Sequence, residues 1–541
     1  MRRLAAALVI AAGLLALDGG KAEAALPTGF ASVVTQDDLV QPTSMAFAPD
    51  GRLFVAEQRG TIQTYDSVDD RSPSLFADLR RVVHNNRDRG LLSVEVDPGW
   101  PSRRYVYVLY SYDAPVGQTA PHYGGTTDSD PCDNGYCPGQ TVIARLTADS
   151  TPVMTGSRQL LSGVCREFPY HDGGGLRFGG GGTLYASLGE GAYPDVDYGQ
   201  RGNACGDPVK EGGSLRSQDI RTDGDPLGFS GTLLRLDPDG VAPPTMLAYG
   251  LRNPFRLAAR ANGEIWIGDV GWFLAEELNV VAPGNPVKNF GWPCHEGPNR
   301  MVTYDDLNLP LCESLYSEGS AAPPADYYCH AGTAPTCAMG GGAISGITFY
   351  GAGTYPPTYA GALFFADYTR QTIYVKRQGP TGLGAIETFA TGIGGPVDLR
   401  TGPNGDLFYV DVFSGQVVRI YVGVQGAPPA ERPRPTATIA SPTPATKAVI
   451  GKQLPFSGSA TDETGQPLPP SALRWTLVVL HCPTEDSCHR HFVESREGVA
   501  SGSFTVPSHE GRYKLEIVLR ATGATASDQT SVVLDKQPTT K

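Results

Sequence analysis

Charge is scarce in this sequence: Asp, Glu, Lys and Arg make up 18% of the 541 residues, whereas Gly and Pro number 67 and 45. Long helices need the reverse composition, so a chain of many turns and short strands is expected. Basic residues are in the minority, 43 Lys and Arg against 56 Asp and Glu for a net charge of -13. An acidic surface argues against a nucleic-acid partner. After the first two dozen residues no apolar run approaches the roughly 20 residues of a membrane-crossing helix. The ten cysteines include no pair at the two-residue spacing of a zinc knuckle, which argues against a cysteine zinc site.

Arg2 and Arg3 are followed by an apolar stretch from Leu4 to Leu17 and by small residues at Ala22 and Ala24. This is the layout of a signal peptide over residues 1–24, and a secreted, periplasmic or otherwise extracellular protein is expected. The cysteines agree with that compartment, because they fall into close couples: Cys132 with Cys137, Cys165 with Cys205, Cys294 with Cys312, Cys329 with Cys337, and Cys482 with Cys488. They are read as local disulfides.

A weak repeat dominates the main body of the chain: an apolar strand, a Gly-containing turn, a second apolar strand and often a third. The copies are MAFAPDGRLFVAEQRGTIQTYD from Met45, LLSVEVDPGWPSRRYVYVLYSYD from Leu91, LRFGGGGTLYASLGEG from Leu176, LAARANGEIWIGDVG from Leu257, ITFYGAGTYPPTYAGALFFADYTRQTIYVKR from Ile347, and VDLRTGPNGDLFYVDVFSGQVVRIY from Val397. A small sheet of this kind cannot bury its faces alone, and stacking the copies in a ring solves the problem. An all-β fold with a six-bladed β-propeller over residues 25–424 is therefore expected. The extra length lies in loops, residues 113–141, 191–230 and 294–343, and long loops on a rigid ring usually carry function. A Pro-rich linker is read at 425–435. Beyond it, runs such as LRWTLVVLH, GSFTVP and YKLEIVLRA suggest a small Ig-like or PKD-like β-sandwich at 436–541.

The third repeat contains HDGGGLRFGGGGTLYASLGEG, with His171 before the strand and Glu190 after the hairpin. Together with RGLLSVEVDP from Arg89, GTLLRLDPDG from Gly231, YGLRNPF from Tyr249, GDVGWFLAEELN from Gly268 and NFGWP from Asn289, it resembles the soluble quinoprotein glucose/sorbosone dehydrogenase family over roughly residues 40–422. The resemblance implies a propeller enzyme that uses pyrroloquinoline quinone (PQQ) and calcium to oxidise a carbohydrate, with an external electron acceptor. His171 takes the place of the general base, Glu190 that of an orienting Asp, Arg252 that of a cation beside the quinone, and Asn253 that of a further cofactor contact. The carbonyls of Gly271 and Trp272 match the pair that holds calcium, where the family has Gly-Pro.

The same resemblance exposes departures. Three basic residues that hold the cofactor carboxylates in the family fall on Thr369, Gly395 and Val397, and Gly175 stands where the family has Arg. Arg370, one position along, is the candidate substitute. Three anionic groups without cations in a partly dry cleft would be costly.

Rival readings come from the residues themselves. His171 could be a loop histidine, Glu190 a solvated turn carboxylate, and Arg252 with Asn253 a polar tie between blades. Asn289, Gly291, Trp292 and Pro293 read as a tight turn under an aromatic wedge. Glu276 and Glu277 read as a solvated acidic pair rather than a calcium site. His481, His489 and His491 could hold copper or zinc or simply end a strand. At the level of the whole protein, the alternative is a propeller that binds carbohydrate or protein without catalysis; a metal-dependent hydrolase lacks a convincing ligand set.

Overall fold

The computed structural model describes residues 24–124, 130–132, 135–222, 228–329, 342–423, 434–484, 487–508, 512–523 and 527–537, without the side chains of 481–484, 487–489, 491, 527, 536 and 537. The expected signal peptide and most of the expected linker lie outside the described residues. The described chain is built on β-strands.

Six sheets of four or five strands are found among the described residues of the first four-fifths of the chain, beside two short two-stranded ones. Pro42–Phe47, Leu53–Glu57, Thr61–Tyr65 and Ser74–Asp78 form the first; Leu91–Val96, Tyr105–Tyr112, Gly139–Ala148 and Met154–Arg166 the second. Gly173–Phe178, Leu184–Leu188, Thr232–Leu236 and Thr245–Tyr249 form the third, to which Lys288–Asn289 adds in parallel. Pro254–Ala259, Ile265–Asp269, Ala275–Val281 and Asp326–Cys329 form the fourth; Ile344–Phe349, Leu363–Asp367, Thr372–Lys376 and Glu387–Thr391 the fifth. Pro396–Thr401, Leu407–Asp411 and Gln416–Val422 belong to the sixth. The first strand of each sheet packs against the first strand of the next, and Pro396–Thr401 packs against Pro42–Phe47. The arrangement is β-propeller-like, with the first strands innermost.

The strands are apolar on both sides because each sheet lies between two others. In Leu363–Asp367, Phe364 and Ala366 join one core while Leu363 and Phe365 join another. Leu53 and Val55 likewise face away from Phe54 and Ala56. Alternation of polar and apolar residues, the mark of a sheet with one wet face, is lost when both faces are buried.

The strand that completes the sixth sheet is absent from the sequence repeats. Phe30–Gln36 pairs antiparallel with Gln416–Val422, Phe30 opposite Val422 and Val34 opposite Val418. The chain's beginning thereby closes onto the end of the ring. Phe30 anchors the closure edge-on against Tyr355, Phe389 and Tyr359, with ring centroids at 4.7, 5.2 and 5.6 Å.

A recurrent carboxylate clasp fixes one end of the sheets. Glu57, Asp269, Asp367 and Asp411 each terminate the second strand of their sheet. Each accepts backbone N–H groups from the segment that leads into the first strand: Val40 to Glu57 at 2.6 Å, Asn253 to Asp269 at 2.7 Å, Ala343 to Asp367 at 3.1 Å and Gly395 to Asp411 at 2.9 Å. Buried carboxylates are tolerated when such charge-assisted bonds replace water.

Disulfides tie down the long loops at this end. Cys132–Cys137, Cys165–Cys205 and Cys294–Cys312 are formed as expected. Cys329 is also disulfide-bonded, while Cys337 lies outside the described residues, as do the side chains of Cys482 and Cys488.

Beyond residue 434 two sheets enclose one core. Thr436–Ser441, Gln453–Thr461 and Ser501–Thr505 make one; Ala448–Val449, Ser527–Gln537, Tyr513–Thr522, Leu473–Thr484 and Ser487–Glu497 the other. Trp475, Phe456, Phe504, Leu477 and Leu519 fill the space between them.

Phe30→Ala tests whether closure stabilises the ring. Removing a ring that is 5% exposed should cost about 3–5 kcal/mol, read as a lowered denaturation midpoint. A change under about 0.5 kcal/mol, the size of a surface effect, would show that the N-terminal strand does not close the structure.

Candidate functional site

The third and fourth sheets bring the central residues together at the clasped end. His171 precedes Gly173–Phe178 and adopts φ +53°, a left-handed conformation that non-glycine residues rarely hold. Its backbone N–H donates to Asp88 at 3.2 Å, and its carbonyl accepts from Gly191 at 3.1 Å. The hairpin passes so close that a Cβ on Gly189 would stand 1.9 Å from the His171 carbonyl oxygen. Glycine is required there. The fixed backbone aims the imidazole at Glu190.

Glu190 is fully buried and lies 2.7 Å from His171 Nδ1. Trp292 Nε1 donates to the other carboxylate oxygen. On the opposite edge of the ring, Arg252 Nη2 approaches His171 Nε2 at 3.0 Å. A guanidinium can only donate, so Nε2 accepts and Nδ1 carries the proton toward Glu190. The histidine is held in the tautomer whose lone pair points away from the carboxylate.

Arg252 is in turn tied at several points. Its Nη1 donates to the Gly271 carbonyl at 2.8 Å and the Val270 carbonyl at 3.1 Å. The guanidinium also lies over the Trp292 ring at 5.3 Å. Its backbone N–H and that of Asn253 are clasped by Asp269, and the Asn253 side-chain oxygen accepts from Gly173 at 3.0 Å. Burial, then the neighbouring Glu277, hold the Asp269 carboxyl well above the ordinary carboxylate range. Beneath the site, Asp172 accepts from Ser111 and is flanked by Arg89 and Arg166.

Asp88 adds an unforeseen acidic group. It is solvent-exposed, yet desolvation, partly offset by His171, raises its carboxyl above the ordinary range. Its only sequence cue is its place just before the RGLLSVEVDP motif.

The structure thus gathers His171, Glu190, Arg252, Asn253 and the Gly271 carbonyl. Trp272 adjoins them, its N–H on Glu296 at 2.5 Å and its ring 6.3 Å from that of Trp292. Arg370 directs its guanidinium to the Cys329 carbonyl at 2.5 Å, the Tyr328 ring at 4.9 Å and Asp367 at 3.7 Å, none of them part of the His171 group. Gly175 has no room for a side chain, since its Cβ would meet Ser187 Oγ at 2.5 Å. Glu276 and Glu277 require a correction. They are buried in a strand, where Glu276 accepts from Ile344 N–H at 2.8 Å and Glu277 from Asn279 at 2.9 Å. Trp292, read as a turn wedge, is also the hydrogen-bond donor to Glu190. The side chains of His481, His489 and His491 lie outside the described residues.

One group among the described residues has metal-like spacing, His84 with Asp113 and Asp130. There Arg89 Nη1 faces His84 Nδ1 at 3.0 Å, which leaves the proton on Nε2, the wrong nitrogen for ligation from that side. Burial, then Arg89, push this imidazole down to about 2.

The reacting end offers the groups a quinone reaction needs, a fixed cation and a neutral imidazole, with the Arg252 guanidinium seated on the lone pair of His171 Nε2. The carboxylate-binding end differs from the family pattern. Thr369 is committed to Asp367 through N–H and hydroxyl at 3.0 and 2.7 Å. Phe413 covers Gly395, and Val397 is buried among apolar side chains.

Residues 39–419 match the family described as Glucose / Sorbosone dehydrogenase. The chain is 25% identical over 407 residues to the aldose sugar dehydrogenase YliI of Escherichia coli, covering 72% of this chain and 91% of that one. An uncharacterized Synechocystis protein is 24% identical over 407 residues, covering 71% and 84%. In fold, the chain is similar to the PQQ-bound aldose sugar dehydrogenase of Streptomyces coelicolor, with TM-score 0.51, 18% identity, and 73% of this chain and 99% of that one covered.

Glu190→Ala separates a buried relay from a solvated turn carboxylate. It strands the donors of His171 and Trp292, so denaturant unfolding should show a loss of about 2–5 kcal/mol. A loss under about 0.5 kcal/mol would mark Glu190 as a surface group.

Proposed function

The chain belongs to the glucose/sorbosone dehydrogenase family, and on that basis we propose that it is a secreted, PQQ-dependent dehydrogenase that oxidises the C1 hydroxyl of an aldose or related carbohydrate to a lactone. The propeller would have six blades, one per sheet, followed by an Ig-like sandwich. The observation that carries the reading is the His171 group: a buried histidine with one nitrogen bound to a carboxylate and its lone pair beside a fixed arginine.

Each residue has a chemical task. His171 Nε2 accepts the hydroxyl proton as the C1–H bond gives up its electron pair, and the approaching hydroxyl takes the place of Arg252 at that nitrogen. Glu190 stabilises the imidazolium that forms and keeps the ring in register, with Trp292 holding the carboxylate. Arg252 presents a cation to negative charge developing on the electron-accepting side, in a position fixed before reaction. Arg252 and Asn253 would hold PQQ, which would supply a two-electron acceptor there, with an external acceptor to restore it. Calcium would take the Gly271 and Trp272 carbonyls, sharing the former with Arg252.

His171→Ala should leave PQQ affinity nearly unchanged while sugar-dependent dye reduction falls about two to four orders of magnitude, the worth of a positioned general base. Arg252→Ala should weaken both, because the cation serves ground and transition states alike. Unaltered turnover in His171→Ala would refute the assignment of the base.

A further inference from the structure

The family match ends at residue 419, and the sandwich beyond it declares its position through contacts of its own. Arg520 Nη1 donates to the Ser414 carbonyl at 2.6 Å and lies 3.7 Å from Asp38. Glu497 faces Arg59 at 3.8 Å, and the Arg490 guanidinium lies over the Phe413 ring at 5.0 Å. Asp38 precedes the first strand of sheet one, Arg59 follows its second strand, and Phe413 and Ser414 follow the second strand of sheet six. These are the positions that His171 and Glu190 hold in sheet three. The sandwich therefore rests on the end of the propeller-like body that bears the site.

The contact is made by the outward side of the five-stranded sheet. Leu515, Ile517 and Leu519 fill the sandwich core, so strand alternation turns Glu516 and Arg520 the other way. Glu516 is nonetheless only 2% exposed. It accepts from Arg490 Nη2 at 2.7 Å and fixes that guanidinium, whose side chain stays 31% exposed.

Phe413 connects this cation to Gly395 and Tyr368. Its ring occupies the space where a side chain on Gly395 would begin, 2.6 Å from the position of a Cβ, and stands 6.0 Å from the ring of Tyr368. Burial, then the charge of Asp88, raise the Tyr368 hydroxyl, and Asp88 accepts from the His171 N–H. Arg490, Phe413 and Tyr368 thus form a row that leads from the sandwich into the end of the body that bears the histidine.

We propose that the sandwich completes the site, and that Arg490 is the cation that receives a cofactor carboxylate on the side where the propeller offers Thr369, Gly395 and Val397. Phe413 fills the space that a side chain on Gly395 would need, and Arg490 lies over its ring. Glu516 acts as the positioning residue. The assignment rests on the quinone reading of the His171 site.

The test is titration of the full-length protein with PQQ in the presence of calcium, following tryptophan fluorescence and cofactor absorbance, alongside thermal melts without cofactor. Arg490→Gln should weaken PQQ about ten- to a hundredfold, the loss expected for one charge-assisted contact, and reduce the salt dependence of binding. Arg490→Lys should retain part of the affinity and guards against a folding defect in the first variant. Equal PQQ affinity in the parent and Arg490→Gln overturns the role of Arg490 and leaves the quinone reading standing. Failure of the parent to bind at tens of micromolar PQQ overturns both.

Discussion

The carboxylate clasp that ends the second strand in four of the six sheets is the constraint on which the rest of the structure depends. A ring of sheets buried on both faces has apolar sides and a polar problem at its ends, where backbone N–H groups leading into the inner strands have no ladder partner. Glu57, Asp269, Asp367 and Asp411 solve it in their sheets by accepting those N–H groups. The mouth of the body is therefore lined by backbone held on buried carboxylates. In the third sheet the corresponding acid is Glu190, displaced by Gly189 and re-aimed at His171 and Trp292. The site grows out of the scaffold by redirecting one clasp from a backbone N–H to a histidine.

That origin explains the order of the site. Asp269 clasps the backbone of both Arg252 and Asn253, so one structural carboxylate fixes a cation and an amide together. Arg252 bridges His171 and the Gly271 carbonyl, which makes the histidine tautomer a consequence of the fourth sheet as much as of the third. Preorganisation of this kind places charge before reaction and leaves only the contact between Arg252 and the histidine to be exchanged. The cost is a set of carboxyls, Asp269, Glu276 and Glu277, pushed upward by burial.

Much of this is legible in the sequence, and the exceptions have physical reasons. The hairpins are visible because a Gly turn between two apolar runs is a local signal, and His171 with Glu190 stands out because both flank one hairpin. Phe30–Gln36 escapes because its partner lies at the far end of the ring and it has no hairpin of its own. Glu276 and Glu277 look solvated because adjacent acids are usually on a surface; here one accepts from Ile344 of the neighbouring sheet, 68 residues away, and the other from Asn279 within its own strand. Trp292 reads as a wedge because a ring's packing is predictable from type, whereas the target of its N–H is not. Asp88 carries no pattern, since its importance comes only from where His171 folds. The outward face of the sandwich is equally silent, because Arg490 matters only through Phe413.

If a sugar's electrons leave through the His171 site, the bound cofactor must record their passage. The decisive measurement is to add an aldose anaerobically to the protein reconstituted with PQQ and calcium while following the absorbance of the bound cofactor. The oxidised spectrum should be lost within a turnover and should return when an electron-accepting dye is added. An oxidised spectrum that persists with every sugar of a broad panel would contradict the proposed chemistry.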